Sequence, residues 1–137
     1  MVPWAGRIRR GQFSFDGTDY RLPINFDPHA IHGTGFEQPW DVVARDGQSV
    51  GLSCHLDWVL GGEAEQLIEL RDNSLTCTLA VRAGARAMPA SIGWHPWFVK
   101  PERVDLQFAR GNADTFARDQ AISLQVHVKN VSSLIVK

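Results

Sequence analysis

The sequence has few of the features that define several large protein classes. Its only cysteines, Cys54 and Cys77, are too few for a disulfide scaffold. The formal net charge is −1, so the basic excess typical of a nucleic-acid-binding protein is missing. No apolar run approaches the ~20 residues that cross a bilayer, and residues 1–10 do not contain the apolar core of a signal peptide. We therefore expect a cytoplasmic protein that binds neither nucleic acid nor membrane.

A helical apolar pattern is missing as well. Among the 137 residues, 12 glycines and 7 prolines are spread along the whole length, and no stretch shows a helical apolar repeat longer than about two turns. Hydrophobic residues make up 44% and charged residues 21% of the chain, as in an ordinary globular protein. A chain of this length is expected to form a single domain, residues 1–137.

Apolar residues instead occupy alternate positions, as on a strand with one buried face. The alternating segments are residues 13–15, 20–22, 42–44, 50–56, 68–70, 75–81, 104–108 and 124–128. Three of the intervening turns contain Asp16-Gly17, Asp46-Gly47 and Asp72-Asn73, which tolerate the positive φ of tight hairpins. The pattern predicts an all-β fold, an antiparallel β-sandwich or barrel of about eight to ten strands.

Two segments interrupt the alternation, residues 25–40 and residues 87–101. Both are rich in histidine, glycine, proline and tryptophan. On a β scaffold, loops that carry aromatic and ionisable side chains are the usual location of binding and catalytic residues. We therefore expect the functional site to lie in these two segments.

Four short motifs in and around these segments occur in a recognisable order. They are Gly6-Arg7-Ile8 with Gly11-Gln12-Phe13, Leu22-Pro23-Ile24-Asn25, His32-Gly33, and His95-Pro96-Trp97-Phe98. In motif type, order and spacing the chain resembles the aldose 1-epimerase (galactose mutarotase-like) family over residues 3–119. The resemblance implies a β-supersandwich, of which this chain holds part. It also implies interconversion of the α and β anomers of an aldose, without a metal or an organic cofactor.

The chemistry of that reaction explains the residue types. Anomer exchange opens a hemiacetal ring: a base takes the proton of the anomeric hydroxyl while an acid protonates the ring oxygen. Histidine, with an ordinary pKa of about 6.5, suits this exchange at neutral pH. The resemblance implies that His95 is the acid, that His32 is a second catalytic residue bonding the sugar near its ring oxygen, and that Arg7 binds sugar hydroxyls. Of the tryptophans, we expect Trp97 to pack on the sugar and Trp58 to lie in the core.

The family's general base is a glutamate near the C-terminal end of a longer chain, and no segment here matches it. Catalysis by this chain would depend on a replacement among the later carboxylates, namely Glu102, Asp105, Asp114 and Asp119. Two alternatives stay open. One is a non-catalytic carbohydrate-binding module. The other is a relative of the hexose-6-phosphate 1-epimerases, in which the phosphate ligands would be Arg9, Arg10 and Arg45.

An alternative outside the family is a metal site. The candidate ligands are His29, His32, His55 and Cys54. Two imidazoles three positions apart on an extended loop do not reliably converge on one ion, so we predict no metal ligands. Because an incomplete sandwich leaves strand edges unpaired, we also expect a homo-oligomer formed through those edges.

Overall fold

The computed structural model describes residues 1–97 and 121–129, and the strand predicted at residues 104–108 lies outside them. Within these residues, strands account for almost all of the regular structure. They are β1 (Arg7–Ile8), β2 (Gln12–Phe15), β3 (Thr18–Arg21), β4 (Ala30–Ile31), β5 (Asp41–Arg45), β6 (Ser49–His55), β7 (Glu63–Arg71), β8 (Ser74–Arg82) and β9 (Ala121–Lys129). One short 3-10 helix, Arg9–Gly11, connects β1 to β2.

The strands form one large sheet and two small ones. The large sheet has five strands in the order β5-β6-β7-β8-β9, and the small sheets pair β1 with β4 and β2 with β3. Every one of these strand pairs is antiparallel. The predicted all-β antiparallel architecture is therefore confirmed. The described part of the chain contains no helix with the length and apolar character that crossing a membrane requires.

The three predicted turns each close a hairpin. Asp16 (φ 49°) and Gly17 (φ 71°) both adopt the left-handed conformation that connects β2 to β3 in register. Between β5 and β6, the Asp46 carboxylate accepts N–H bonds of 2.7 Å from both Gln48 and Ser49. These bonds hold the pKa of Asp46 below its ordinary value. Asp72, at φ 51°, begins the turn from β7 to β8.

One face of the large sheet is apolar, as the alternation requires. In cross-strand register Cys54 lies opposite Ala64, and Ala64 lies opposite Val81. All three are buried together with Leu79. Cys77 is half-buried, and burial raises the pKa of the Cys54 and Cys77 thiols, as expected for core thiols that are not ionised.

The N-terminal residues 1–5 form an extended segment that runs between the two predicted functional loops. Val2 is 1% exposed and packs into the main core with Leu56, Leu79 and Val81. Backbone hydrogen bonds attach this segment on both sides: Thr34 and Gly35 donate to the Val2 carbonyl (2.9 and 3.1 Å), and Ser91 donates to the Pro3 carbonyl (2.9 Å). The segment therefore holds residues 33–35 and residues 91–93 next to each other, although they are far apart in sequence.

Candidate functional site

His32 is held by a reciprocal pair of hydrogen bonds with Gly6. The backbone N–H of His32 donates to the Gly6 carbonyl at 3.0 Å, and the backbone N–H of Gly6 donates to the ring nitrogen Nδ1 of His32 at 3.2 Å. Because Nδ1 accepts a hydrogen bond, a neutral imidazole here carries its hydrogen on Nε2. His32 is thus oriented as a hydrogen-bond donor through Nε2.

The surroundings of His32 also favour its neutral form. Its pKa is lowered from the ordinary value, first by desolvation and then by the positive charges of His95, the N-terminal amine and Arg7. A lowered pKa keeps the imidazole uncharged to more acidic pH than a free histidine. At neutral pH His32 therefore donates through Nε2–H and carries no charge of its own.

A steric constraint explains why glycine follows His32. Gly33 adopts φ 78°, and a Cβ built on it would lie 1.8 Å from the Val2 carbonyl oxygen. No residue with a side chain fits where the backbone of residue 33 passes so close to the N-terminal segment. The His-Gly motif thus combines a histidine at the surface with the one residue type that allows the segment beneath it to approach.

The structure brings His95 next to His32. Their ring centroids are 5.9 Å apart at an interplanar angle of 71°, and His95 also stacks on Trp97 at 5.3 Å and 24°. Trp97 is 65% exposed, and His95 is exposed as well. The two imidazoles and the indole therefore form a continuous row on an open surface. A separate cavity of about 370 Å³ lies elsewhere, lined in part by His55, Glu63 and Arg82.

Arg7 approaches the same surface from β1. It pairs in register with Ile31 of β4, the residue immediately before His32. Its guanidinium carbon lies 5.1 Å from the ring centroid of Phe26. Of the predicted site residues, His32, His95 and Trp97 are thus neighbours, and Arg7 lies on the strand that pairs beside His32. Phe26, which carries no motif signal, lies under the Arg7 guanidinium.

The loop that carries Phe26 is held by side-chain hydrogen bonds. The Asn25 amide bonds both backbone groups of Ile31: Nδ2 donates to its carbonyl (3.1 Å), and Oδ1 accepts its N–H (2.7 Å). Phe26 and His29 exchange backbone N–H bonds of 3.1 and 2.7 Å. Nδ1 of His29 accepts the Arg10 N–H at 3.2 Å, so this histidine has a structural role. The asparagine of the Leu-x-x-Asn motif therefore fixes the loop beside Arg7.

The five tryptophans, all within residues 1–97, divide into four that pack and one that is exposed. Trp58 packs against the main core and against Trp4 at 5.7 Å, in agreement with its predicted core location. The indole N–H of Trp94 donates to Gln66 (3.0 Å) and that of Trp40 to the Gly35 carbonyl (2.7 Å). Trp97 is the most exposed of the five, so it is the tryptophan best placed to offer a ring face to a ligand.

The geometry bears on two of the three alternatives, the metal site and the hexose-6-phosphate site. Within residues 1–97 and 121–129, no group of three or more His, Cys, Asp or Glu side chains is placed to hold a metal ion. Nδ1 of both His29 and His32 already accepts a backbone hydrogen bond. The proposed phosphate ligands are divided between the 3-10 helix, which holds Arg9 and Arg10, and β5, which holds Arg45. The carboxylates considered as a replacement base lie outside the described residues.

Comparison with known proteins decides the family. Residues 1–132 match the family described as Aldose 1-epimerase. The chain belongs to the aldose 1-epimerase family. This confirms the resemblance inferred from the four motifs.

Individual relatives of the aldose 1-epimerase family agree. The Uncharacterized protein YphB of Escherichia coli (strain K12) is 34% identical over 102 residues, 72% of this chain and 35% of that protein. Galactose mutarotase of Rattus norvegicus is 47% identical over 36 residues, 25% of this chain and 10% of that protein. The crystal structure of a provisionally named aldose 1-epimerase from Escherichia coli K12 matches with a TM-score of 0.60 at 30% identity. It covers 65% of this chain and 32% of that one, and it confirms the predicted sandwich fold.

The chain spans about a third of the length of the curated relatives that it matches first, 35% of one and 34% of the other. Family membership rests on the match over residues 1–132 of this chain itself.

Proposed function

We propose that this chain binds an aldose on the surface formed by Arg7, His32, His95 and Trp97 and supplies the acid half of anomer interconversion. The observation that carries the proposal is the pair of imidazoles 5.9 Å apart, in which His32 is held as a donor by the Gly6 N–H. Two imidazoles with different hydrogen-bond settings can take different roles toward one sugar oxygen. A cytoplasmic location remains a prediction from the sequence.

In this proposal His32 binds and His95 transfers a proton. The Nε2–H of His32 donates to the sugar near its ring oxygen and remains neutral during the reaction. His95 is exposed and stacks on Trp97, so its ring can reach a ligand while the stacking restrains its plane. Protonated His95 gives its proton to the ring oxygen as the bond from that oxygen to C1 breaks.

The remaining groups orient the sugar. The guanidinium of Arg7 donates to sugar hydroxyls through its planar set of N–H groups, which suits two neighbouring oxygens better than a lysine would. The free face of Trp97 packs on the apolar C–H face of the pyranose. The base that takes the anomeric hydroxyl proton is a second group, and none of the four residues is assigned to it. After rotation about the C1–C2 bond, the ring hydroxyl closes on the other face of C1 and returns its proton to His95, while the base returns its proton to the C1 oxygen.

Polarimetry of a freshly dissolved aldose tests the catalytic part. We expect the wild-type chain to accelerate the change in optical rotation, and His95→Ala to lose that acceleration by about 10²- to 10⁴-fold, the usual contribution of a positioned acid. His55→Ala is the matched control, because His55 is an exposed histidine on β6 and has no part in the proposed site. Failure of the wild-type chain to change the rate would remove catalysis from this chain.

Binding is measured separately by titrating Trp fluorescence and by ligand-observed NMR with several aldoses. Binding that depends on Arg7 and His32 without acceleration would support the carbohydrate-binding alternative. A preference for hexose 6-phosphates over free hexoses would favour the phosphate-epimerase alternative. No binding of any aldose would contradict the proposed function in every form.

A further inference from the structure

Phe26 is an exposed aromatic residue with an unusual neighbour. Its side chain is 51% exposed, and the guanidinium of Arg7 lies over its ring at 5.1 Å. Stacking on a ring face restrains a guanidinium while leaving the N–H groups at its edges free to donate. An arginine in this arrangement is oriented without losing its capacity to bind oxygen atoms.

The ring and the arginine are both fixed to the same strand. Arg7 pairs with Ile31 along β1, and the Asn25 amide bonds the N–H and the carbonyl of Ile31. Phe26 follows Asn25 directly and is held by two backbone hydrogen bonds with His29. The distance between the Phe26 ring and the Arg7 backbone is therefore set by the loop, not by the flexible arginine side chain.

Arg7 has no competing anchor in the part of the chain that the structure describes. The salt bridge found there joins Arg71 and Glu69, and no carboxylate within residues 1–97 pairs with Arg7. The positive charge of Arg7 contributes to the lowered pKa of His32, so the guanidinium lies within electrostatic reach of that imidazole. Within the described residues, the Phe26 ring is the contact that restrains the Arg7 guanidinium.

We propose that Phe26 is a positioning residue, whose ring holds the Arg7 guanidinium toward the ligand side of His32. The inference rests on the proposed function, because it gives the restrained arginine a sugar to bind. Phe26 acts through Arg7 and takes no part in proton transfer. Its removal therefore weakens sugar binding and leaves the rate of the bound complex unchanged.

The test compares Phe26→Leu, which keeps an apolar side chain without a π face, with Phe26→Tyr, which keeps the ring. We expect Phe26→Leu to weaken aldose affinity about two- to fivefold, the range for a cation–π contact at an exposed site. Phe26→Tyr should retain the wild-type affinity. Phe36→Leu makes the same chemical change at a phenylalanine that is 55% exposed and should have no effect.

A double-substitution cycle separates positioning from a general structural effect. In an Arg7→Gln background Phe26→Leu should cause no further loss of affinity, because the group that the ring restrains is gone. An equal loss in both backgrounds would overturn the proposal, and so would a Phe26→Leu variant with unchanged affinity for an aldose that the wild type binds.

An NMR measurement without sugar keeps the inference distinct from the proposed function. The side-chain protons of Arg7 should show a ring-current shift that Phe26→Leu removes and Phe26→Tyr retains. If the wild type binds no aldose but this shift is present, the proposed function fails while the Arg7–Phe26 contact stands. Identical Arg7 shifts in the wild type and in Phe26→Leu would overturn the positioning role.

Discussion

The apolar face of the large sheet has a covered end and an open end. Leu79 on β8 and Leu70 on β7 lie on this same face, yet Leu79 is 1% exposed and Leu70 is 49% exposed. At the edge strand β5, Val42 lies opposite Leu52 on this face and is 61% exposed. Residues that the alternation places on the same face of the sheet therefore differ in burial. The alternation determines which face a side chain occupies, and other segments determine whether that face is covered.

The covered end is also where the candidate site is built. Val2 packs into the core there, and its carbonyl binds the backbone after Gly33. Ser91, which precedes His95 in the second loop, binds the same N-terminal segment. One segment thus closes the core and brings the His32 and His95 loops together. Substitutions at the covered end should therefore change both the free energy of unfolding and the geometry of the candidate site. Substitutions at the open end should leave the site unchanged.

The largest expected effect comes from Gly33→Ala. The new Cβ would overlap the Val2 carbonyl and would sit on a residue at φ 78°, so the N-terminal segment must move. We expect a loss of about 4–5 kcal/mol in the free energy of unfolding, at the upper end of single-substitution effects. The measurement is urea denaturation followed by tryptophan fluorescence.

Gly17→Ala is the matched control for this substitution. Gly17 has a similar φ of 71°, but a Cβ there would meet no atom within 4 Å. We expect it to cost only the left-handed conformation, about 1–2 kcal/mol. Equal costs at the two glycines would show that the approach of Val2 does not constrain the His-Gly loop.

A smaller effect distinguishes the two ends of the sheet directly. Leu79→Ala removes a fully buried side chain and should lower the free energy of unfolding by about 2–5 kcal/mol. Leu70→Ala makes the same change at a half-exposed position of the same face and should stay within about 0.5 kcal/mol. The pair is measured by urea denaturation under one set of conditions. A large cost at Leu70 would mean that the open end is covered in solution, as the predicted homo-oligomer would cause.

The smallest effect on stability is expected at the edge strand. Val43 on β5 is 63% exposed, and Val43→Lys places a charge on an edge that could pair with another chain. We expect weaker self-association in sedimentation velocity, with the free energy of unfolding changed by less than about 0.5 kcal/mol. Gly47→Lys, in the turn that follows β5, adds the same charge away from the edge and should leave self-association unchanged. A wild-type chain that stays monomeric at all concentrations would contradict the expected oligomer.

Much of the fold could be predicted because its signals are local. All three predicted turns are confirmed as connections between paired strands. Positive φ occurs at Asp16, Gly17 and Asp72, whereas the turn at Asp46 and Gly47 has none and is closed by hydrogen bonds to the Asp46 carboxylate. The predicted strand at residues 124–128 lies within β9. Family membership could be predicted because four motifs occur in a fixed order.

The site was only partly predictable. Its candidate residues Arg7, His32, His95 and Trp97 carry motif signals, and their catalytic and binding roles remain predictions. Phe26 carries no such signal, because one phenylalanine in a loop looks the same whether or not a cation lies above it. Its significance depends on β1 and β4 pairing in the observed register.

By itself, the order of residues determined the alternating faces, the hairpin turns and the family, since each depends on neighbours along the chain or on short motifs. Only the tertiary structure decided which half of the apolar face is covered, which histidine is bound to Gly6 and which arginine rests on an aromatic ring. The physical reason is that those properties arise from contacts between segments distant in sequence. The N-terminal segment, with a buried Val2 and backbone hydrogen bonds to both loops, makes the contacts that cover one end of the apolar face.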